Sequence, residues 1–249
     1  MPPTPAVAWR AVGKRYGDAP PALDDVTLEV ARGESLAILG TSGSGKTTLL
    51  KLVNRLIDPS SGQVLVDGKP TTDWDPIALR RSTGYVIQDV GLMPHLSIAE
   101  NVSMVPRLKG TRRAERLDDA RRQLSMVGLD PDAYAGRYPH ELSGGQRQRV
   151  GVARALAGGA ELILMDEPFG ALDPITRRGL QAEFRDLQRR LGKTVVLVTH
   201  DLREAAVVAD RLALMDGGKL VQQGVTRDFL DNPATPFVRE FFREAEAVA

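Results

Sequence analysis

The sequence predicts an α/β protein: a mostly parallel sheet, an additional antiparallel sheet beside it, and an inserted helical subdomain. Three observations carry this. Short apolar runs alternate with helical patterns toward both ends of the chain, the order that lays strands parallel with helices over their faces. Two early strand-like runs flank a Gly- and Pro-rich turn, which suggests antiparallel neighbours. From about residue 89 to 158 the strand signals vanish and the sequence becomes helical and arginine-rich. A chain of 249 residues is long enough for one large α/β domain or two small ones.

The elements follow in order. Residues 6–12 and 26–30 read as strands around Gly17-Asp18-Ala19-Pro20-Pro21. Ser35-Leu36-Ala37-Ile38-Leu39 is an apolar strand. A glycine-rich stretch follows, Gly40-Thr41-Ser42-Gly43-Ser44-Gly45-Lys46-Thr47, and then a helical pattern over 48–56. That helix places Leu49, Leu52, Val53 and Leu56 on one core-facing stripe. Ser60-Ser61-Gly62 punctuates, residues 63–66 resume a strand closed by Asp67-Gly68, and Tyr85-Val86-Ile87 reads as another. In the helical segment, Arg107, Lys109, Arg112, Arg113, Arg116, Arg121 and Arg122 read as solvated helix faces. Strand signals return at 162–165 and 195–198. A hairpin is expected from Leu212-Ala213-Leu214-Met215, the turn Asp216-Gly217-Gly218, and Lys219-Leu220-Val221. The tail Phe237-Val238-Arg239-Glu240-Phe241-Phe242 reads as a short amphipathic helix packed on the body.

Composition bounds the function. Hydrophobic content of 42% and charged content of 26% are those of an ordinary globular protein. A formal net charge of +1 supplies no strong field toward nucleic acid or an anionic membrane. The absence of cysteine excludes a disulfide framework and cysteine-based zinc sites. No apolar stretch approaches the length of a membrane span, and Met1-Pro2-Pro3-Thr4-Pro5 lacks the regions of a secretory signal. A cytosolic protein is expected, reaching a membrane only through a partner.

Strand, glycine-rich loop and helix in that order form the context of a phosphate site. Glycines let consecutive backbone N–H groups turn inward as an anion nest. The helix beginning near Lys46 adds its dipole and unpaired donors. Lys46 can reach the β- and γ-phosphates, and Thr47 offers a hydroxyl to Mg²⁺. Asp166-Glu167 closes the apolar run at 162–165, so a buried strand delivers two carboxylates to the sheet edge. There Asp166 would hold Mg²⁺ and Glu167 would polarise the attacking water. Leu142-Ser143-Gly144-Gly145-Gln146 opens a helical run at 147–156. Ser143 and the glycine amides suit a second phosphate site, while a serine-capped helix after a glycine turn is the plainer reading of the same residues.

Taken together, the segments resemble those of the ATP-binding cassette ATPases over nearly the whole chain. They arrive in that family's order: Tyr16, the 40–47 loop, Gln88, 142–146, Asp166-Glu167, Gly170-Ala171-Leu172-Asp173, and Thr199-His200-Asp201. The resemblance implies a P-loop NTPase (RecA-like) core over about 1–88 and 159–249, with an antiparallel β subdomain and a helical subdomain over about 89–158. It implies ATP and Mg²⁺ as cofactors, held by residues 40–47 together with Thr48. Tyr16 would stack on adenine, an ordinary core tyrosine being the other reading. Gln88 would touch Mg²⁺ or the attacking water and report to a membrane partner. His200 would contact the γ-phosphate, and Asp173 would communicate across a dimer. In the family two copies arranged head to tail sandwich two ATP molecules, Lys46 of one copy and residues 143–146 of the other sharing each nucleotide.

The short interval between Gln88 and Ser143 leaves no room for a long coiled-coil arm, and a single cassette without fused membrane helices resembles importers with separate permease subunits. Ile87-Gln88-Asp89-Val90-Gly91-Leu92-Met93-Pro94-His95-Leu96-Ser97-Ile98-Ala99-Glu100-Asn101-Val102 looks like the cassettes of glycine betaine, choline and carnitine importers. Asn54-Arg55-Leu56-Ile57 and Leu172-Asp173-Pro174-Ile175-Thr176-Arg177 add to that likeness. Importers of amino acids, phosphate or phospholipids, and a non-transport clamp, are the competing readings. The implied partners are a second copy, a permease and, indirectly, a solute-binding protein, with no nucleic acid. The implied location is the inner face of the cell membrane. Many members of that importer group carry a C-terminal nucleotide-sensing regulatory domain. With the sequence closing at Ala249, sensing of that kind is not expected.

Overall fold

The computed structural model describes residues 3–247. Met1 and Pro2, the head of the stretch expected to lack a secretory signal, lie outside the described residues, as do Val248 and Ala249. The chain divides into two compact units, Met1–Leu79 with Gly192–Ala249, and Arg80–Leu191. These limits differ from the subdomain limits expected at 88 and 159, because two strands and a long helix cluster with the helical segment.

In chain order the elements begin with β1 (Val7–Lys14), β2 (Leu23–Val30), β3 (Ser35–Gly40), α1 (Lys46–Val53), β4 (Ser61–Val66), β5 (Lys69–Pro70) and α2 (Pro76–Ser82). Then come β6 (Thr83–Val86), α3 (Ile98–Val102), α4 (Met104–Leu108), α5 (Arg113–Met126), α6 (Pro131–Tyr134), α7 (Gly144–Leu156), β7 (Leu162–Asp166) and α8 (Pro174–Leu191). The chain closes with β8 (Thr194–Val198), α9 (Leu202–Val208), β9 (Arg211–Asp216), β10 (Lys219–Gly224), α10 (Thr226–Asp231) and α11 (Pro236–Ala247).

In the first unit, β1, β2, β4 and β5 form an antiparallel sheet in the order β2-β1-β4-β5. Val7 faces Val30 and Val66 in this register. Trp9 is fully buried under this sheet, and its indole N–H donates to the Leu49 carbonyl of α1 at 3.2 Å; a buried tryptophan needs such a partner. In the parallel part of this unit β3 runs between β8 and β9, with Ile38 level with Val198 and Gly40 level with Met215. Every residue of β3 and β8 is buried, as strands covered on both faces must be. The expected hairpin is β9–β10, turning through Gly217 and Gly218 at φ +51° and +81°.

Leu49, Leu52 and Val53 are buried as the helical stripe requires, but Leu56 is 45% exposed, which corrects the reading of the helix through 56. α1 ends at Val53 because Arg55 turns left-handed at φ +51°. The Leu56 amide donates to the Lys51 carbonyl and the Arg55 amide to the Leu52 carbonyl. That pair of bonds is a Schellman stop. At the other end of the unit Val238 and Phe242 of α11 are buried, and Phe242 stacks on Phe229 at 4.8 Å.

In the second unit β6 and β7 pair in parallel, Val86 level with Met165. The expected arginine-rich faces are solvated at Arg107, Arg112, Arg113 and Arg122, but not at Arg116. That residue is 8% exposed and donates to Ser103 Oγ at 2.8 Å. α8 has no counterpart among the expected elements. Leu180, Phe184 and Leu187 form its buried stripe.

Candidate active site

The first unit positions the phosphate loop. The buried strand β3 runs into Gly40 (φ +147°), whose Cβ, if present, would collide with the Met215 carbonyl and approach Ser44 Oγ at 2.6 Å. Gly43 (φ +79°) and Gly45 (φ +97°) hold the left-handed turns that side chains disfavour. A Cβ on Gly45 would strike the Ala22 carbonyl. Gly45 is also the N-cap of α1 and offers no side chain to cap it, and the positive end of a helix dipole suits an anion. Lys46, 6% exposed, donates from Nζ to the carbonyls of Gly40 at 2.9 Å and Thr41 at 2.8 Å. Ser44 Oγ is buried and without a hydrogen-bond partner. An orphaned hydroxyl inside a glycine cradle suits a ligand rich in acceptor oxygens. Thr41, Ser42 and Gly43 are exposed, and Thr47 and Thr48 half-buried.

β8 runs parallel to β3, so the residues after Val198 emerge at the same sheet edge as the loop. The Thr199 amide donates to the Ile38 carbonyl at 3.2 Å, and His200 follows, exposed. Asp201 then caps α9 by accepting from the Arg203 and Glu204 amides. Tyr16 lies in the turn-rich connection after β1 and is 49% exposed, which excludes the core reading; Lys14 Nζ sits 5.1 Å from its ring centre.

The second unit gathers the other expected residues. Beyond Val86 and Met165, paired on parallel strands, two residues of chain bring each strand to Gln88 and Glu167. Gln88 is exposed on a turn closed by the Val90 amide donating to the Ile87 carbonyl at 2.9 Å. Asp166 is half-buried at the end of β7. Its charge reaches Tyr85: burial first, and Asp166 second, push that phenol up to about 12. Glu167 adopts φ +45°, a conformation that strains any residue with a Cβ. Such outliers collect where a side chain must be aimed.

Ser143 caps α7. Its Oγ accepts from the Gln146 amide at 3.3 Å, while Gln146 Oε1 accepts from the Ser143 amide at 2.9 Å, which is a reciprocal capping box. The plain cap reading of Ser143 is therefore realised here. Gln146 Nε2 also donates to the Tyr134 hydroxyl at 3.0 Å. Gly144 and Gly145 form the first helical positions, and a Cβ on Gly145 would meet Thr176 at 2.7 Å. Asp173 accepts from the Ile175 and Thr176 amides. The Thr176 hydroxyl, then its amide, then that of Ile175, hold the Asp173 carboxyl below its usual range.

Two arginines that support these loops escaped sequence reasoning. Arg154 donates to the Gly91 carbonyl at 2.7 Å and to that of Val90, and burial lowers its pKa. Arg177 donates to the carbonyls of Phe169, Gly170 and Leu172. Nothing in the spacing marks them, because a guanidinium finds carbonyls only once the loops are folded. A cavity of about 840 Å³ among Met126, Val152, Phe169 and Phe184 holds none of the expected site residues.

Comparison with known proteins identifies the family. The family model described as ABC transporter matches residues 23–170. The choline transport ATP-binding protein OpuBA of Bacillus subtilis (strain 168) is 52% identical over 230 residues, covering 92% of this chain and 60% of that protein. The glycine betaine uptake system ATP-binding protein YehX of Escherichia coli (strain K12) is 49% identical, covering 96% and 77%. The chain thus spans about 60% of the length of OpuBA and its like. Among solved structures, the dimeric post-hydrolysis state of the cassette MJ0796 bound to ADP and Pi superposes with a TM-score of 0.76 at 36% identity, covering 88% of this chain and 98% of that one. The chain cbiO1 of Clostridium perfringens, part of the ABC transporter complex cbiONQ, gives 0.82 at 29% identity, covering 98% and 93%. With its α/β fold, its glycine cradle and these likenesses, the chain belongs to the ABC transporter family.

Proposed function

We propose that the chain binds and hydrolyses ATP to power an importer whose cargo is a quaternary amine osmoprotectant such as glycine betaine or choline. The observation that carries the enzymatic half is the phosphate cradle at 40–47, with its buried, partnerless Ser44 hydroxyl beside Lys46. The names of the relatives OpuBA and YehX support the cargo.

Phosphoryl transfer asks for positioning and charge neutralisation more than covalent chemistry. Lys46 would exchange its two loop carbonyls for phosphate oxygens. Thr48 and the loop amides complete the grip, and Tyr16 offers its exposed ring to adenine. Mg²⁺, when bound, neutralises charge developing on the phosphates. Thr47, Gln88 and Asp166 are the residues that would hold it. Among the described residues no group of three or more His, Cys, Asp or Glu forms a metal site, and Mg²⁺ arriving with a nucleotide would need no such group, since one or two carboxylates with the substrate's phosphates and water would be enough to hold it. Glu167 polarises the attacking water, and His200 meets the γ-phosphate. Ser143, Gly144, Gly145 and Gln146 of a second, head-to-tail copy close over the same nucleotide, and Asp173 lies at that junction. ATP makes contacts in the closed pair that the open pair lacks, so it shifts the population toward closure, and hydrolysis releases it. The folded chain is one cassette with its helical subdomain over about 89–158. It works at the inner face of the cell membrane against permease subunits, fed by a solute-binding protein and without nucleic acid. Among the described residues no helix is long and apolar enough to cross a membrane.

The test compares wild type with Glu167→Gln. Turnover should fall by roughly 10²–10⁴-fold, the range for loss of a general base, while MgATP binding persists. Undiminished hydrolysis would remove Glu167 from its role. Deleting the chain from its cell should abolish uptake of radiolabelled glycine betaine or choline. Unchanged uptake of both would reject the cargo.

A further inference from the structure

Helix α7 does more than present residues 143–146. Its last turn carries Arg154, which donates to the carbonyls of both Val90 and Gly91. Those two residues sit at consecutive left-handed conformations, φ +57° and +56°. For Val90 this is a genuine outlier, because a β-branched side chain crowds its own backbone there. The surroundings over-determine it. Val90 is 8% exposed, and a Cβ on Gly151 of α7 would approach Val90 Cγ1 at 2.6 Å, so only glycine at 151 lets the helix come this close. The Val90 amide in turn closes the turn on Ile87, and Gln88 and Asp89 form its tip.

We infer that Arg154 is a positioning residue that fixes Gln88, by clamping the base of its turn to the helix whose other end faces the nucleotide. From Ser143 to Arg154 that helix runs about 16 Å at 1.5 Å per residue, as one hydrogen-bonded body. A displacement at its nucleotide-facing end therefore moves the carbonyls on which the Gln88 turn rests. The guanidinium suits this use because its planar fork reaches two acceptors at once, which an ammonium cannot do with fixed geometry. Its role in turnover rests on the proposal that the chain hydrolyses ATP; the clamp itself does not.

Two measurements on the full chain separate the two. Hydrogen exchange in nucleotide-free protein reads the clamp alone. Arg154→Gln should speed exchange of the 88–92 amides at least ten-fold, with the rest of α7 unchanged. Arg154→Lys, which keeps the stem and the charge and carries the test should the glutamine variant fail to fold, should give a smaller rise in the same segment. Steady-state kinetics reads the consequence. Arg154→Gln should lower kcat at least ten-fold with KM for ATP within two-fold. In a Gln88→Ala background the same change should cost less than two-fold more, because a residue acting through Gln88 has nothing left to position. Unchanged exchange at 88–92, or an equal kcat loss in both backgrounds, would overturn the inference. A wild-type chain that does not hydrolyse ATP while its exchange pattern responds to Arg154→Gln would instead refute the proposed function and keep the clamp.

Discussion

Glu167 sits at φ +45°, directly after the buried strand β7, and the strain stored there can be weighed. A left-handed residue with a Cβ carries a cost of about 1–2 kcal/mol. Glycine carries none, but it loses about 0.4–1 kcal/mol through the greater freedom of the unfolded chain. Glu167→Ala and Glu167→Gly both delete the carboxylate, so whatever that side chain contributes to stability cancels between them. The difference that remains is backbone strain less chain entropy. The glycine variant should therefore be the more stable of the two by roughly 0.5–1 kcal/mol. At a residue of ordinary negative φ the order is reversed, with glycine the weaker by roughly 0.5–1 kcal/mol. The sign of the difference is thus diagnostic. Urea denaturation of the two variants, followed by circular dichroism with equal slopes, measures it. An alanine variant as stable as the glycine variant, or more so, would refute the claim that this backbone is strained. Both variants should lose turnover, which would separate the aim of the side chain from the stability of the fold.

Two further predictions concern Gly40 and Tyr85. Gly40→Ala forces a Cβ onto the Met215 carbonyl where β3 meets β9, so it should destabilise the fold by roughly 1–3 kcal/mol and weaken ATP binding, read by thermal unfolding and equilibrium dialysis; a wild-type Tm would contradict it. The Tyr85 phenol, raised to about 12 by burial first and Asp166 second, gives a pH dependence of known sign. Its neutral form is favoured in the fold, so this contribution to stability is whole below the ordinary value of 10.0 and is lost as the pH rises toward 12. Asp166→Asn should lower the phenol's midpoint without bringing it to 10, as followed by phenolate absorbance. An unmoved or raised midpoint would remove Asp166 from its neighbourhood.

Most strands were legible in the sequence because apolar runs such as Leu36-Ala37-Ile38-Leu39 and Val195-Val196-Leu197-Val198 are buried on both faces and admit no polar interruption. The cradle was legible because glycine is needed at Gly40 and Gly45 for reasons local to the loop. Leu56 misled because its apolar character continues the stripe of α1, whereas the left-handed turn at Arg55 ends the helix; arginine carries no signal for such a stop. α8 went unread behind its motif residues, although Leu180, Phe184 and Leu187 repeat at helical spacing. Arg116 reads as a member of a solvated run and nothing in the spacing marks Arg154, yet each is drawn in by tertiary partners: the Ser103 hydroxyl for Arg116, the 90–91 carbonyls for Arg154. Polar groups buried by such partners are chosen by three-dimensional approach, which periodicity does not encode.

Joint possession of each nucleotide by two copies is tested most directly by mixing two crippled chains. Lys46→Ala lacks the cradle cation, and Ser143→Arg blocks the capping segment. A mixed head-to-tail pair contains one intact site, made from Lys46 of one copy and Ser143 of its mate. Analytical ultracentrifugation on a Glu167→Gln background should show a MgATP-dependent dimer in the equimolar mixture and only monomers with either variant alone. A mixture that stays monomeric, or a dimer formed by either variant by itself, would contradict the account.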